Sequence, residues 1–339
     1  MQRSCVTSLA AVLAIASSLC APGVGHAQTT YTLTQVDSVP TTTVTGINDE
    51  GELSLTVDSG LTVSANLWRR GIQTNIGGLT PSPQFVEAGG LSDLGQLVGS
   101  TISPTSGNFC AYIWSQGHMT ELPSPTGATA AFGIQVNLLG QVVGEVYDAN
   151  SNAHAALWSR GTLTLLPGIP GENISQPVGI NIGGEIVGFS EDASFVINTV
   201  VWRRGALTLL IGNAIPSAIN DVGQIVGTFG ASFTPGTPFL WQNGVTTQLP
   251  SLPGMAPTGT AEAINDLGQI VGTLTNVAVL WKNGAVIDLN NQIAATDPLQ
   301  PYVHLQQGWW INNLGQIVAT GVDSRNPAIG EWYLLTPVY

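Results

Sequence analysis

Apolar and polar positions in this chain follow one recurring nine-residue pattern. It reads INDEGELSL from Ile47, LSDLGQLVG from Leu91, VNLLGQVVG from Val136, INIGGEIVG from Ile180, INDVGQIVG from Ile219, INDLGQIVG from Ile264 and INNLGQIVA from Ile311. The Asn-Asp-x-Gly core favours a tight hairpin: Asn and Asp start turns through side-chain to backbone hydrogen bonds, and the glycine accepts a left-handed backbone. Gly51, Gly95, Gly140, Gly184, Gly223, Gly268 and Gly315 hold that place, spaced 44, 45, 44, 39, 45 and 47 residues apart. The run after each glycine is short and β-branched, and its two faces read alike, as in a strand buried on both sides.

A second pattern follows each of the first six copies: NLWRRG, YIWSQG, ALWSRG, VVWRRG, FLWQNG and VLWKNG, with Trp68, Trp114, Trp158, Trp202, Trp241 and Trp281 in register. The seventh copy has YLLTPV from Tyr333 instead. Trp-x-x-Gly marks a second hairpin, and runs such as Thr162 to Leu166 supply a fourth strand. Four short strands per repeat of this length make the blade of a β-propeller. The expected fold is therefore all-β, a seven-bladed β-propeller of four-stranded blades forming one domain over 28–339. The register tryptophans are expected to pack between blades.

Two details refine the picture. The residue five before each turn glycine is small (Gly46, Gly90, Gly179, Ala218, Ala263), as expected for an innermost strand crowded at the axis, except at Gln135 and Trp310. The seventh repeat ends after its third strand, while TQVDSVP from Thr34 resembles TQLPSLP from Thr247, with Val for Leu at two positions and Asp37 for Pro250 as the one dissimilar pair. The N-terminal strand, Thr32 to Val36, is thus expected to pair beside Tyr333 to Leu335 and close the last blade, leaving no open edge.

Composition fits a sheet buried on both faces: 43 % of residues are apolar and only 9 % charged. A net charge of -13 excludes binding to a phosphate backbone, which needs clustered Lys and Arg. Residues 1–27 read as a Sec-type signal peptide, with Arg3 in the n-region, Val6 to Leu19 as the apolar stretch and cleavage after Ala27. No other stretch approaches the length of a membrane helix. The protein is expected to be periplasmic or secreted and monomeric. Only Cys110 remains after cleavage, so no internal disulfide is possible and a buried thiol is expected.

The repeats resemble the HAF-repeat family of extracellular bacterial proteins, in which A-I-N-D-x-G-Q-I-V-G is followed by H-A-F-L-W and a glycine. Ile219 to Gly227 and Ile264 to Gly272 match the first part, and His154 to Trp158 the second with Ala156 in place of Phe. The similarity covers 28–339. It implies an exported repeat protein and supplies no catalytic or binding residue.

His118, His154 and His304 lack the spacing of metal ligands, and no nucleophile elbow or zinc motif occurs, so no catalytic residue, metal site or cofactor is expected. Asp49, Asp93, Asp221 and Asp266 recur at the turns, where capping is favoured over calcium binding. Arg69, Arg70, Arg203 and Arg204 are expected to pair with those aspartates. The departures lie in the sixth repeat: 22 positions separate Leu289 from Ile311, where other repeats use 9 to 15. Such irregular connections emerge on the propeller face opposite the hairpin turns, where binding usually resides. Asp297, Tyr302, His304 and Trp309 in or beside that segment are the candidate ligand patch. The function expected is a non-enzymatic binding or interaction scaffold, with an envelope polysaccharide or a protein as partner. The alternative is an extracellular glycan hydrolase or lyase.

Overall fold

In the computed structural model, residues 29–37, 41–172, 174–191, 196–230 and 236–338 are described. The expected signal peptide lies outside them. Strand β1 (Thr30–Asp37) precedes the repeats. The first repeat is a four-stranded antiparallel sheet of β2 (Thr42–Ile47), β3 (Leu53–Asp58), β4 (Val63–Arg69) and β5 (Ile72–Asn75). The second contains β6 (Val86–Leu91), β7 (Leu97–Ile102), β8 (Phe109–Ser115) and β9 (His118–Glu121), and the third β10 (Ala130–Val136), β11 (Val142–Tyr147), β12 (Ala153–Ser159) and β13 (Thr162–Leu165). The fourth comprises β14 (Ile174–Ile180), β15 (Ile186–Glu191), β16 (Ile197–Arg203) and β17 (Ala206–Gly212). The fifth has β18 (Ala214–Ile219), β19 (Ile225–Phe229), β20 (Thr237–Gln242) and β21 (Val245–Gln248). The sixth has β22 (Gly259–Ile264), β23 (Ile270–Leu274), β24 (Val277–Lys282) and β25 (Ala285–Asp288), followed by a 3-10 turn, Leu289–Gln292. The last has β26 (Val303–Ile311), β27 (Ile317–Asp323) and β28 (Gly330–Val338), with β1 as its fourth strand.

The molecule is an all-β propeller, but its sheets do not divide as the repeat count predicts. Five sheets of four strands stand separately, and the second and third repeats share one sheet of eight. The join is a single parallel pair, Ala130 with Phe109. An aromatic chain crosses it: Phe109 meets Phe85 edge-on at 5.0 Å and stacks on Phe132 at 5.7 Å, and Phe132 meets Tyr147 edge-on. These rings span the start of β8 and the start of β10, where the two repeats join, so the expectation of seven separate four-stranded blades is corrected to five plus a fused pair.

β1 runs antiparallel to β28 from Thr30 opposite Val338 to Asp37 opposite Trp332. The irregular segment after β25 lies along the other edge of β1. Ile293 bridges Tyr31, Ala294 N donates to Tyr31 O at 2.8 Å, and the buried Asp297 accepts from Leu33 N at 2.7 Å. An exposed strand edge invites pairing with other chains, and this segment covers one.

The turns explain the sequence pattern. The glycines of all seven turns, six of them Asn-x-x-Gly and the second Ser92-x-x-Gly95, adopt φ between +69° and +79°, a region that favours glycine. Arg70–Gly71 and Asn243–Gly244 both have positive φ, as a type I′ hairpin turn requires. The register tryptophans Trp68, Trp158, Trp202, Trp241 and Trp281 are buried. Trp158, Trp202 and Trp281 each donate the indole N–H to a carbonyl of the preceding repeat, Pro123, Pro167 and Pro250, at 2.7 Å. Each of these three indoles therefore joins neighbouring repeats through both apolar contact and a hydrogen bond.

Candidate functional site

The first strands of successive repeats lie side by side around an axis, and β26 also lies against β2. Their hairpin turns converge at one end of that axis in a mouth of about 200 Å³. Here Asn and Asp divide the work. Asn48 Oδ1 caps its own turn, accepting from Glu50 N and Glu52 N, while Asn48 Nδ2 donates to Ser92 O of the next repeat. The aspartates cap the preceding repeat instead: Asp93 accepts from Asp49 N, Asp221 from Ile182 N and Asp266 from Asp221 N, at 2.7–2.8 Å. Asn313 fills the same role for Asp266 N. Burial raises the Asp93 and Asp221 carboxyls above their ordinary value, against the hydrogen bonds from Asp49 N and Ile182 N, with neighbouring aspartates adding to the rise. No group of three or more His, Cys, Asp or Glu among the described residues is arranged to hold a metal. The nearby arginines do not pair with this ring as expected. Arg69 pairs with Glu52 and Arg203 with Glu185, because the glutamate after the turn glycine sits across the hairpin from them.

Farther along the axis, away from the turns, lies a cavity of about 520 Å³. Thr43, Val44 and Thr45 of β2, Glu87 of β6, Phe132 and Gln135 of β10, Val178 of β14, Trp309 and Trp310 of β26 and Trp332 of β28 are on its wall. A local irregularity of the first strands places residues there, and the bulged Thr45, Ile134, Val178 and Trp309 lie on the wall. Every first strand shifts register just before its last residues, for example between Val44 and Gly46 in β2 and between Gly308 and Trp310 in β26. The bulged residue escapes the alternation of the strand. Strict alternation would put Trp309 and Trp310 on opposite sides of β26; the bulge brings both to the cavity.

The three indole N–H groups are already engaged by the protein. Trp309 Nε1 donates to Thr320 Oγ1 at 3.0 Å, Trp310 Nε1 to Val44 O at 3.3 Å and Trp332 Nε1 to Thr42 O at 2.8 Å. Trp309 and Trp332 stand with ring centres 5.9 Å apart at 47°. Gln135 reaches across Gly90, where an added Cβ would lie 2.0 Å from its Oε1, so the glycine makes room for this side chain. Glu87 is the carboxylate on the wall, and its Oε2 accepts from Ser100 Oγ at 3.1 Å.

Of the candidate patch, only Trp309 reaches this cavity. Asp297 is buried, accepting from Leu33 N and Leu299 N, and serves to fix β1. Tyr302 is exposed beneath the Arg325 guanidinium, 4.4 Å from its ring centre, and Arg325 is held by Asp323. His304 is exposed on β26, beside Val322 of β27. The four do not form one patch. The residues that do converge, Glu87, Phe132, Gln135, Trp310 and Trp332, carried one sequence signal: Gln135 and Trp310 break the small-residue rule of the first strands.

No protein-family profile matches the chain, and no curated protein matches it. Solved structures do. The β-propeller domain of the Trilobed protease from Pyrococcus furiosus, described as having an open velcro topology, aligns with a TM-score of 0.56 at 8 % identity, covering 86 % of this chain and 95 % of that one. An acylaminoacyl peptidase from Pyrococcus horikoshii aligns at 0.55 with 10 % identity, over 90 % of this chain and 51 % of its own. A puromycin-hydrolyzing peptidase from Mycobacterium tuberculosis aligns at 0.51 with 12 % identity, over 84 % and 51 %. The chain spans about half the length of these two peptidases. At such identities the likeness concerns the fold alone.

Proposed function

We propose that this chain is an exported, non-enzymatic binding module of the HAF-repeat kind, a ring of seven repeats closed by β1, with the tryptophan-walled axial cavity as its ligand site. The observation that carries this reading is the convergence of Trp309, Trp310 and Trp332, with their N–H groups engaged by the protein and their ring surfaces on the cavity wall. A concave wall of apolar and aromatic side chains with a few polar groups is the usual form of a small-molecule site. The seven-repeat ring is supported by the seven turns that share one mouth and by the pairing of β1 with β28, which completes the seventh set of four strands. The glycan hydrolase reading asks for two carboxylates flanking the scissile bond, whereas Glu87 is the wall's one carboxylate among the described residues.

The test is a screen of small molecules and oligosaccharides by tryptophan fluorescence and thermal shift, on residues 28–339 and on Trp309→Ala. A saturable ligand whose binding is lost in the variant, and which is recovered unchanged, is the expected result. A ligand bound equally by both proteins, or converted to product, overturns the proposal.

A further inference from the structure

Resting on that reading of the cavity, we infer that its ligand is an organic cation carrying an alkylated ammonium group. Each part of the wall narrows the choice. Because the indole N–H groups of Trp309, Trp310 and Trp332 donate to Thr320, Val44 and Thr42, they are not available to a ligand's acceptors. What the indoles offer is ring surface, and Trp309 and Trp332, tilted 47° to each other, form two sides of a corner. The negative face of an aromatic ring attracts a cation, most strongly for tryptophan.

The polar groups point the same way. Thr45 Oγ1 lies 2.8 Å from Gly89 O and 2.9 Å from Ser54 Oγ, and Ser100 Oγ donates to Glu87. These hydroxyls are already bonded within the wall. A sugar presents many hydroxyls that each require a partner, and beyond the engaged hydroxyls the wall's polar side chains are Thr43, Gln135 and Glu87, too few to serve them all. No Lys or Arg lies on the wall among the described residues, and Glu87 is an acidic side chain there. An anion would meet repulsion with no counter-charge. An uncharged apolar ligand would strip water from the Glu87 carboxylate and give nothing in return. An alkylated ammonium satisfies both demands at once: its methyl groups lie against indole faces, and its charge lies near Glu87. It needs no hydrogen-bond donor or acceptor of its own.

The experiment uses choline, phenyltrimethylammonium and trimethyl-lysine as probes, with 3,3-dimethylbutan-1-ol as the uncharged isostere of choline and cellobiose as a neutral sugar. Binding to residues 28–339 is followed by tryptophan fluorescence and calorimetry. At least one cation is expected to saturate. The neutral isostere should bind at least tenfold more weakly, Glu87→Gln should weaken the cation about tenfold, and Trp309→Ala should abolish binding. Trp309→Phe, which keeps an aromatic face, should retain part of the affinity and guards against misfolding of the alanine variant. Equal binding of choline and its isostere, an unchanged affinity in Glu87→Gln, or no binding of any cation overturns the inference. If cellobiose or another uncharged compound binds and is lost in Trp309→Ala, the ligand class is wrong while the cavity remains the site. If every ligand found binds Trp309→Ala as well as the parent, the cavity reading fails too.

Discussion

Asn312 donates its side-chain amide to the backbone oxygen of Asn48 at 2.9 Å, across 264 residues of sequence. The same bond runs from Asn137 to Asn181, Asn181 to Asn220, Asn220 to Asn265 and Asn265 to Asn312. One side chain thus performs two tasks in each of these repeats. Its oxygen holds its own hairpin turn, and its nitrogen holds the next. The chain interrupts this at Ser92, whose hydroxyl accepts from Gln96 N. A local turn motif has become a linkage between repeats.

Breaking that linkage should be costly because the groups are buried. Asn265 accepts from Gln269 N and Leu267 N and donates to Gln269 Oε1 and Asn312 O. Asn265→Ala would orphan several of them, at about 1–3 kcal/mol. Asn265→Asp should do at least as much harm, since a carboxylate would face two oxygens. Urea unfolding measures both; a loss within the error of the parent would show that the ladder contributes nothing.

The N-terminal strand admits a separate test. Removing residues through 40 would strip β28 of one of its two partners and leave the backbone of Leu334 and Thr336, which face β1, unpaired on an open edge. The melting temperature should fall sharply and light scattering should rise. Asp297→Asn should reproduce part of the effect, because its amide would present a donor to Leu33 N or Leu299 N in place of an acceptor. Unchanged melting in both variants would refute the role given to this strand.

The fold was largely legible because its signals are local and repeated. Each turn glycine and each register tryptophan states its own strand boundaries, and the Thr34 and Thr247 segments betray the N-terminal strand by resemblance. The fused sheet was not legible, since it joins where Phe109 meets Phe132 across the repeat boundary. The site escaped for a related reason. A bulge at Trp309 leaves no mark in a period-two pattern, and Glu87 and Trp332 come together through ring geometry, which no stretch of sequence encodes. The long segment after Leu289 looked like a binding loop because it departs from the repeat. It departs in order to cover β1.

Glu262 gives the pH dependence a definite sign. It occupies the bulge of β22, as Thr45 and Trp309 do in their strands, and accepts from Gln307 Nε2 at 3.0 Å. Burial pushes its carboxyl above the ordinary value of 4.5, and its hydrogen bonds only partly oppose the rise. The folded chain therefore holds this proton to higher pH than the unfolded chain does, and stability from this group is lost as pH rises through the raised value. Glu262→Gln should raise the melting temperature at pH 7, and the gain should vanish below pH 4.5, where both forms are neutral. A gain that is independent of pH would place its origin outside this titration.

Cys110 reports on the fused sheet. It lies in β8 opposite Thr101, next to Phe109, and burial raises its thiol to about 12, with Glu121 adding to the shift. At pH 8 the native thiolate fraction is then on the order of one in ten thousand, so a disulfide reagent should label the folded chain starting at Gln28 only through opening of the sheet. Phe109→Ser removes the ring that stacks on Phe132 but keeps every strand of both repeats. If that stack holds β8 against β10, labelling of Cys110 should accelerate severalfold while the melting temperature moves little, since Phe109 is itself partly exposed. Equal labelling rates in the two proteins would show that the single Ala130–Phe109 pair holds without the rings, and that the aromatic chain is not what fuses the two repeats.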